Sequence, residues 1–302
     1  MMKLSGIAAF LATAEAGSIS AAARRLGLAT SVVSERLADL EKSLGTKLIQ
    51  RTTRKLSLTA GGISFLPRAQ RIIREADEAE AELAARSGTL AGPLRLSAPV
   101  SFAALHLGPA LCRFIVEHPE IDVSLELDDR FVDVAADGFD AVLRHGPVGD
   151  TRLIAKRLAV SRRLLVASPA YLERHGRPGS LADLADHRGI LYSNRESDWR
   201  FRTPSGWSVV RPTPALRVNN GIIMKDVALA GIGIALLPTF FVYDSIASGA
   251  LLELDIGVQA EGAELFLAYA RDHGSAAKIL ALAASLQRSF GDPPYWDNPL
   301  IA

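Results

Sequence analysis

GSISAAARRLGLATSVVSERLADLEKSLGTKLIQRTTRKLSLT, residues 17–59, is the stretch that decides the fold of the N-terminal part of the chain. Ser18 predicts the N-cap of a short helix, because a serine hydroxyl can accept from a free N–H of the first turn. Gly27 supplies the positive φ that ends this helix and turns the chain. Thr30 or Ser31 can then cap a second helix, so the stretch predicts two helices joined by a tight turn.

The second helix has one apolar and one polar face. Its apolar residues recur at spacings of four, three and four, which is the period of a helix with one buried side: Val33, Leu37, Leu40 and Leu44. An α-helix fits the major groove of B-DNA, and polar residues near its N-terminus reach base edges. We therefore predict a helix-turn-helix at about residues 19–38 whose second helix reads DNA.

A short alternating segment with a basic tip follows the second helix. Arg51, Arg54 and Lys55 lie at this tip, where a basic hairpin can straddle the phosphate backbone. Residues 1–60 carry nine Lys and Arg against four Asp and Glu, a net charge of +5, whereas the whole chain is +1. Concentrated basic charge is typical of a nucleic-acid-binding module. The predicted DNA-contacting residues are Ser20, Thr30, Ser31, Ser34, Glu35, Arg36, Arg51, Arg54 and Lys55.

The order of these residues resembles that of LysR-type transcriptional regulators. The resemblance rests on Ala21-Ala22-Ala23, Leu26, Ser31, Ser34, Leu37, Leu40-Glu41, Leu44-Gly45, Leu48, Arg51 and Leu58-Thr59-Ala60-Gly61. It implies a winged helix-turn-helix domain over residues 1–60. Glu35 stands where many members carry a basic residue. Its carboxylate can accept from a cytosine amino group, or it is a solvated glutamate beside the groove.

Residues 61–91 are predicted to form a linker helix and a hinge. Apolar residues from Phe65 to Leu83 recur every three or four positions, and a lone helix cannot bury such a stripe. The resemblance implies that residues 61–87 pair two subunits, and the alternative is that the stripe packs against its own chain. Pro67 is expected to kink the helix or to delay its regular part.

Strands and helices alternate from Gly92 onward, which predicts an α/β fold with mostly parallel sheets. Four segments extend the resemblance into the family's effector domain: Leu94 to Pro99, Asp140 to Arg144, Ala167 to Leu172 and Gly231 to Ala235. This domain is similar to type 2 periplasmic binding proteins, with a ligand cleft between two α/β subdomains. The resemblance implies an effector-binding domain over residues 92–302, with subdomain I at about 92–160 and 267–302 and subdomain II at about 161–266. The chain is expected to cross between them near residues 159–163 and 266–270.

Ligands of open α/β sheets bind beyond the carboxyl ends of strands. Six residues fall at such ends and are the predicted effector contacts: Ser101, Phe102, Arg144, His145, Asn219 and Asn220. The N–H groups of Ser101 and Phe102 are expected to face an anion at a helix N-terminus, so a carboxylate is one candidate effector.

Each predicted effector contact also has a simpler interpretation. Ser101 can be an N-cap, and Arg144 can form an ion pair with Asp140 or Asp133. His145 fits a pocket rim or the protein surface. Asn219 and Asn220 can be turn residues.

Composition argues against several other classes of protein. The single cysteine, Cys112, allows no disulfide framework and is expected to pack in the interior, and the six histidines lack the spacing of a helical zinc site. The N-terminus lacks the pattern of a signal peptide, and the apolar run 227–242 is too interrupted by Gly and Pro to span a bilayer. We expect a cytoplasmic protein without membrane association, metal or cofactor.

Enzymatic motifs are weak. Ser275 and Lys278 form an isolated S-x-x-K pair, and Gly231-x-Gly233 lacks the third glycine of a dinucleotide fingerprint. The sequence therefore predicts a non-enzymatic DNA-binding regulator that responds to a small molecule. It is expected to bind a dyad-symmetric operator as a homodimer or a dimer of dimers, with RNA polymerase as a candidate partner. The alternative is a constitutive DNA-binding repressor with no physiological ligand.

Overall fold

The computed structural model describes residues 2–51, 56–86, 90–129, 134, 137–146, 150–194, 199–270 and 276–297. The chain divides into two compact units, Met1–Gly92 and Pro93–Ala302. The first unit holds α1 (Leu4–Ala16), α2 (Ile19–Leu26), α3 (Thr30–Leu44), β1 (Ile49–Arg51), β2 (Leu56–Leu58) and α4 (Ala60–Arg86).

Local signals in the sequence account for the helix ends of the first unit. The Ser18 hydroxyl accepts from the N–H of Ala21 at 3.1 Å, as predicted. Gly27 has a φ of 63°, so it adopts the left-handed conformation that ends α2. The predicted cap of α3 is wrong: Ala29 is the N-cap and makes no side-chain bond, and Thr30 is already the first helical residue.

The core of the first unit is built from α1, α3, the hairpin and the start of α4. Its buried members are Ile7, Phe10, Leu37, Leu40, Leu48, Ile49 and Ala69. Gly6 lets α1 approach α3 closely, because a Cβ there would lie 3.1 Å from the Arg36 carbonyl oxygen and 3.2 Å from Leu40 Cβ. A larger residue at position 6 would therefore push apart the two helices that position the polar face of α3.

Helix α4 is continuous over 27 residues and contains Pro67. Pro67 does not delay the helix, which begins seven residues earlier at Ala60. The rings of Phe10 and Phe65 lie 5.6 Å apart, and Ala69 is fully buried in the same core. The first part of the apolar stripe therefore packs within its own unit, which is the alternative raised for the whole stripe.

The second unit alternates strands and helices. Its first half holds β3 (Gly92–Ala98), α5 (Val100–Phe102), a π-helical turn (Ala103–Leu107), α6 (Gly108–Glu117), β4 (Ile121–Leu127), β5 (Ala141–His145), β6 (Leu153–Ser161), β7 (Arg163–Ala167) and α7 (Pro169–His175). Its second half holds a 3-10 turn (Asp183–Ala185), β8 (Arg188–Tyr192), β9 (Arg200–Thr203), β10 (Gly206–Val209), β11 (Thr213–Val218), α8 (Gly221–Leu229), β12 (Ile234–Pro238), α9 (Thr239–Ala247), β13 (Leu252–Glu253), β14 (Gln259–Ala260), β15 (Ala263–Ala270) and α10 (Ala276–Phe290).

Two five-stranded sheets form the two subdomains, with strand orders β4-β3-β5-β15-β6 and β11-β8-β12-β7-β13. The expectation of mostly parallel sheets is wrong, because both sheets are mixed. Strand β15 is antiparallel to β5 and β6, and β7 is antiparallel to β12 and β13. The antiparallel pairs arise where the chain passes from one subdomain to the other. A three-stranded sheet, β10-β9-β14, was not predicted, because its strands have only two to four residues.

The chain crosses between the subdomains at two short segments. The first crossing lies between Ser161, the last residue of β6, and Arg163, the first of β7, within the predicted range. The predicted second crossing at residues 266–270 is wrong. These residues lie inside β15, which pairs with β6 along its whole length, so the crossing falls at residues 261–262.

One apolar segment of the second unit, Val100–Glu117, is long enough to cross a bilayer on length and composition alone. Phe102, Leu107 and Phe114 within it are buried inside the unit. Such burial is typical of a core helix, so this segment is weak support for a membrane span.

Candidate nucleic-acid interface and ligand cleft

The polar face of α3 is open within the first unit. Thr30, Ser31 and Glu35 are exposed, and Ser34 and Arg36 are half-buried at the edge of this face. On α2, the predicted contact Ser20 is also exposed. The opposite face of α3 is buried through Val33, Leu37 and Leu40. The helix is therefore held by one side and presents the other, as a groove-reading helix requires.

Glu41 fixes the C-terminal end of α3 to the hairpin. Its carboxylate accepts from the N–H groups of Leu48 and Ile49 at 2.9 and 3.2 Å and from Lys47 Nζ at 2.6 Å. Burial alone would raise the pKa of Glu41, but these three hydrogen bonds outweigh it and lower the pKa. Glu41 belongs to the family pattern but no role was predicted for it, because two of its three partners are backbone N–H groups that no residue type in the sequence reveals.

The hairpin pairs β1 with β2 in antiparallel register, with Ile49 opposite Leu58 and Arg51 opposite Leu56. Leu48 and Ile49 are buried. Arg51 is the last residue of β1. Arg54 and Lys55, predicted at the tip, lie outside the described residues.

A cavity of about 510 Å³ lies between the two subdomains of the second unit. Five of the six predicted effector contacts line it: Ser101, Phe102, Arg144, His145 and Asn219. Further lining residues that the sequence analysis missed are Asp128, Asp129, Ser161, Arg163, Tyr192, Met224, Leu236, Leu237, Phe240 and Phe241. The structure thus brings together residues that lie more than 100 positions apart in the sequence.

Asn220 joins the two subdomains beside this cavity. Its Oδ1 accepts from the N–H groups of Ile222 and Ile223, so Asn220 is the N-cap of α8. Its Nδ2 remains free to donate to Ser101 Oγ at 3.2 Å. The N-cap interpretation of Ser101 is wrong, because Pro99 is the N-cap and Ser101 is the second residue of α5.

A carboxylate of the protein lies at the start of α5. Asp129 Oδ1 accepts from the N–H of Val100 at 3.0 Å. The N–H groups of Ser101 and Phe102 were predicted to face an effector anion, and the N–H of Val100, which directly precedes them, is already bound to Asp129. Asp128 and Asp129 directly follow β4. Their position at a strand end is the signal that could have identified them.

Arg144 is held on its own subdomain. It donates from Nη1 to the Leu143 carbonyl oxygen at 2.7 Å and from Nη2 to Ser97 Oγ at 3.2 Å. Burial lowers the pKa of Arg144, and the charges of Asp128 and Asp129 partly offset this effect. Of the two carboxylates proposed to pair with Arg144, Asp140 accepts from the N–H of Arg95 at 2.6 Å, and Asp133 lies outside the described residues.

His145 is half-buried and lines the cavity, in agreement with the pocket interpretation rather than the surface one. Both ring nitrogens are buried and find no hydrogen-bond partner among the described residues. The ring stacks on Phe240 at 4.9 Å and meets the edge of Phe102 at 5.1 Å. Burial, with smaller contributions from His106 and Arg144, lowers the pKa of His145 to about 4. The side chain is therefore a neutral imidazole near pH 7.

His106 connects subdomain I, subdomain II and the C-terminal segment. Its Nε2 lies 3.0 Å from the Phe240 carbonyl oxygen, and its Nδ1 lies 2.6 Å from Tyr295 Oη. Since a carbonyl can only accept, Nε2 carries the proton and Nδ1 of the neutral ring accepts from Tyr295. Burial lowers the pKa of His106 more than Phe240 and Asp244 raise it.

The structure also shows the surroundings of the other residues that were considered from the sequence for packing, catalysis or metal binding. Cys112 is exposed, so the expected interior packing is wrong. Lys278 is buried and donates to the Pro93 carbonyl oxygen at 2.6 Å, while Ser275 lies outside the described residues. No cluster of three His, Cys, Asp or Glu side chains that could hold a metal ion occurs in the described ranges.

Two family models match the chain. The model described as bacterial regulatory helix-turn-helix protein, lysR family, matches residues 4–63. The model described as LysR substrate binding domain matches residues 87–291. Together they account for both units.

Three relatives match between 81% and 96% of this chain. The HTH-type transcriptional regulator CrgA of Neisseria meningitidis is 35% identical over 81% of this chain and 82% of its own length. The regulator DmlR of Escherichia coli is 30% identical over 96% of this chain and 95% of its own. An uncharacterized HTH-type regulator of Haemophilus influenzae is 31% identical over 89% and 94%.

Solved structures of similar proteins superpose on most of this chain. The structure of CrgA superposes with a TM-score of 0.56 at 31% identity, covering 94% of this chain and 96% of CrgA. The full-length Vibrio cholerae virulence activator AphB superposes with a TM-score of 0.59 at 22% identity, covering 94% and 98%, which supports the fold alone.

Proposed function

The chain belongs to the LysR family of DNA-binding transcriptional regulators, and we propose that α3 reads base pairs through its polar face. The observation that carries this proposal is the division of α3 into a buried side, Val33 to Leu40, and an open side with Ser31 and Glu35. The proposed base-reading residues are Thr30, Ser31, Ser34, Glu35 and Arg36, supported by Ser20 on α2. Arg51, Arg54 and Lys55 of the hairpin contact phosphates.

The proposed reader is a dimer on a dyad-symmetric operator. Helix α4, at 27 residues, extends about 40 Å, and among its described side chains those from Phe65 to Ile73 pack into the core of its own unit. Residues 61–87 pair two subunits in this proposal, and two dimers assemble into a tetramer. The regulator acts in the cytoplasm, where its DNA lies, and RNA polymerase is a partner of the DNA-bound form.

The effector-binding domain, residues 92–302, binds the effector in the cavity between its subdomains. Ser101, Phe102, Arg144, His145, Asn219 and Asn220 are the proposed contacts or supports of this ligand. Ligand binding closes the subdomains, and the closed state shifts the spacing of paired α3 helices along the DNA. The buried Ser161 hydroxyl lines the cavity without a partner among the described residues. An unpartnered buried hydroxyl favours a ligand-binding cleft over the constitutive repressor.

Selection of bound duplexes from random DNA by the purified full-length protein tests this function. We expect a dyad-symmetric consensus whose half-sites lie about one helical turn, or a multiple of it, apart. Footprints of the selected duplex, recorded with and without metabolite fractions, then separate the two alternatives. A footprint that changes with a fraction supports the effector-responsive regulator, and absence of any enriched sequence contradicts sequence-specific reading by α3.

A further inference from the structure

The charges that line the cleft are balanced within the protein. The charged lining residues are Asp128, Asp129, Arg144 and Arg163, two of each sign. Arg144 already donates to Leu143 and Ser97, and Arg163 donates to the Leu236 carbonyl oxygen at 3.4 Å. A ligand charge of either sign would therefore meet an equal repulsive charge in a partly buried site, where such repulsion is weakly screened.

A carboxylate of the protein lies where an effector anion would approach the start of α5. Asp129 accepts from the first N–H of the helical run that begins at Val100. The negative charges of Asp129 and Asp128 also attract the guanidinium of Arg144 and raise its pKa, against the effect of burial. An effector carboxylate would have to compete with Asp129 for the N–H and with both carboxylates for the guanidinium. The protein's own carboxylate thus binds the N–H that directly precedes those of Ser101 and Phe102, where the sequence suggested an anionic effector.

The rest of the cleft offers apolar surface and neutral hydrogen-bonding groups. Apolar and aromatic side chains form most of its wall: Pro99, Phe102, Met224, Leu236, Leu237, Pro238, Phe240 and Phe241. The neutral polar groups include the Ser161 hydroxyl, which is buried and lacks a partner among the described residues, and the side chains of Tyr192 and Asn219. Such a wall recognises a ring or chain bearing a hydroxyl, carbonyl or amide group.

We propose that the cleft takes an uncharged, largely apolar effector and that Asp129 is the residue that excludes carboxylates. This inference rests on the proposed function, since it takes the cleft to be the effector site. In this inference Asp129 provides specificity by repelling carboxylate ligands, and it need not contact the correct ligand.

Matched probes that differ only in charge test the inference. Benzamide and benzoate share a shape, as do naphthalene-2-carboxamide and 2-naphthoate, and the cavity of about 510 Å³ accommodates either ring system. Ligand binding to the folded state raises the Tm of the full-length protein. We expect each carboxamide to raise the Tm at a concentration about tenfold or more below that of its carboxylate partner.

The variant Asp129→Asn separates charge from structure. Its Oδ1 still accepts from the N–H of Val100, so the start of α5 is preserved while the negative charge is lost. We expect the preference for carboxamide over carboxylate to shrink by about fivefold or more in this variant. Glu126→Gln is the matched control, because Glu126 is an exposed carboxylate on the neighbouring strand and does not line the cleft. It should leave the preference unchanged.

Three results overturn the inference: a carboxylate that stabilises the wild type more than its carboxamide, an Asp129→Asn variant with an unchanged preference, or no stabilisation by either carboxamide. These results are independent of DNA binding. A protein that prefers carboxamides but selects no operator refutes the proposed function and leaves the chemistry of the cleft intact. A protein that selects an operator but prefers carboxylates refutes the inference about the cleft and leaves the proposed function intact.

Discussion

Asn220 Nδ2 donates to Ser101 Oγ at 3.2 Å, and this bond joins the cap of α8 to helix α5 across the ligand cleft. The cap itself uses the other amide atom of Asn220, so the bridge can be removed without disturbing α8. This bond thus links the two subdomains next to the cavity, and the cap of α8 does not depend on it.

Ser101→Ala is expected to loosen the closed cleft while leaving the fold intact. A net hydrogen bond contributes about 1 kcal/mol, so the ratio of closed to open molecules should fall about fivefold. Spin labels report this ratio as a distance distribution, with one label on the exposed native Cys112 and the other introduced by Glu173→Cys. Ser124→Ala, on the exposed face of β4, is the control. An unchanged distance distribution in Ser101→Ala would show that the bridge does not hold the cleft.

Glu41→Gln is expected to destabilise the first unit by about 1–3 kcal/mol, because a buried acceptor of three hydrogen bonds loses its charge. The pKa of Glu41 is lowered in the folded state, so its stabilisation is present above its ordinary pKa and is lost as the pH falls through the folded value. Urea denaturation as a function of acid pH measures both effects. Glu35 is an exposed glutamate on the same helix, so Glu35→Gln should change neither the free energy of unfolding nor its dependence on acid pH. A Glu41→Gln variant with the acid sensitivity of the wild type would refute the proposed role of Glu41.

His145 is expected to make the second unit acid-sensitive between about pH 6.5 and pH 4. Its folded pKa of about 4 lies below the ordinary value of 6.5, so the unfolded chain takes up a proton over this window and the folded chain does not. The stability lost by pH 4 is about 3 kcal/mol. His145→Phe should remove most of this loss, since a phenyl ring retains the stacking on Phe240, whereas His118→Gln should keep it. Denaturation midpoints at several pH values measure the difference, and equal acid loss in His145→Phe and wild type would contradict the account.

The proposed phosphate contacts predict a steep dependence of operator binding on salt. Each contact contributes about 0.9 to the slope of log K against log salt concentration. Arg54→Gln and Lys55→Gln should therefore each reduce the slope by about 0.9, with similar losses on specific and unrelated duplexes. Lys156→Gln, on β6 of the second unit, is a control of equal charge change. A slope that is the same in both hairpin variants and wild type would exclude phosphate contact by these residues.

Local features of the fold were predictable, and features that depend on distant parts of the chain were not. Ser18, Gly27 and the apolar spacing of α3 act within a few residues, so the sequence states them directly. The direction of β15 is set by its pairing with β5 and β6, more than 100 residues earlier, and no pattern within β15 encodes it.

The ligand cleft, too, could be predicted only in part from the sequence. Strand ends indicated Ser101 and Arg144, but the chemistry of the site depends on Asp129 bonding to the N–H of Val100 and on Phe240 stacking over His145. Both contacts arise only when separate elements meet. Polar residues at strand ends were therefore identified as candidates, while their partners, burial and protonation were not.

The open face of α3 and the adjoining hairpin are proposed to read the operator. This proposal is tested most directly by comparing the affinities of wild type and the Ser34→Ala, Arg51→Ala double variant for the selected operator and for an unrelated duplex, with unfolding and oligomeric state checked alongside. A good base contact contributes about 1–3 kcal/mol, so the double variant should lose about tenfold or more of its operator affinity and most of its preference over unrelated DNA, with fold and assembly unchanged. Operator affinity within about a factor of two of wild type, far below that range, would contradict recognition by this surface.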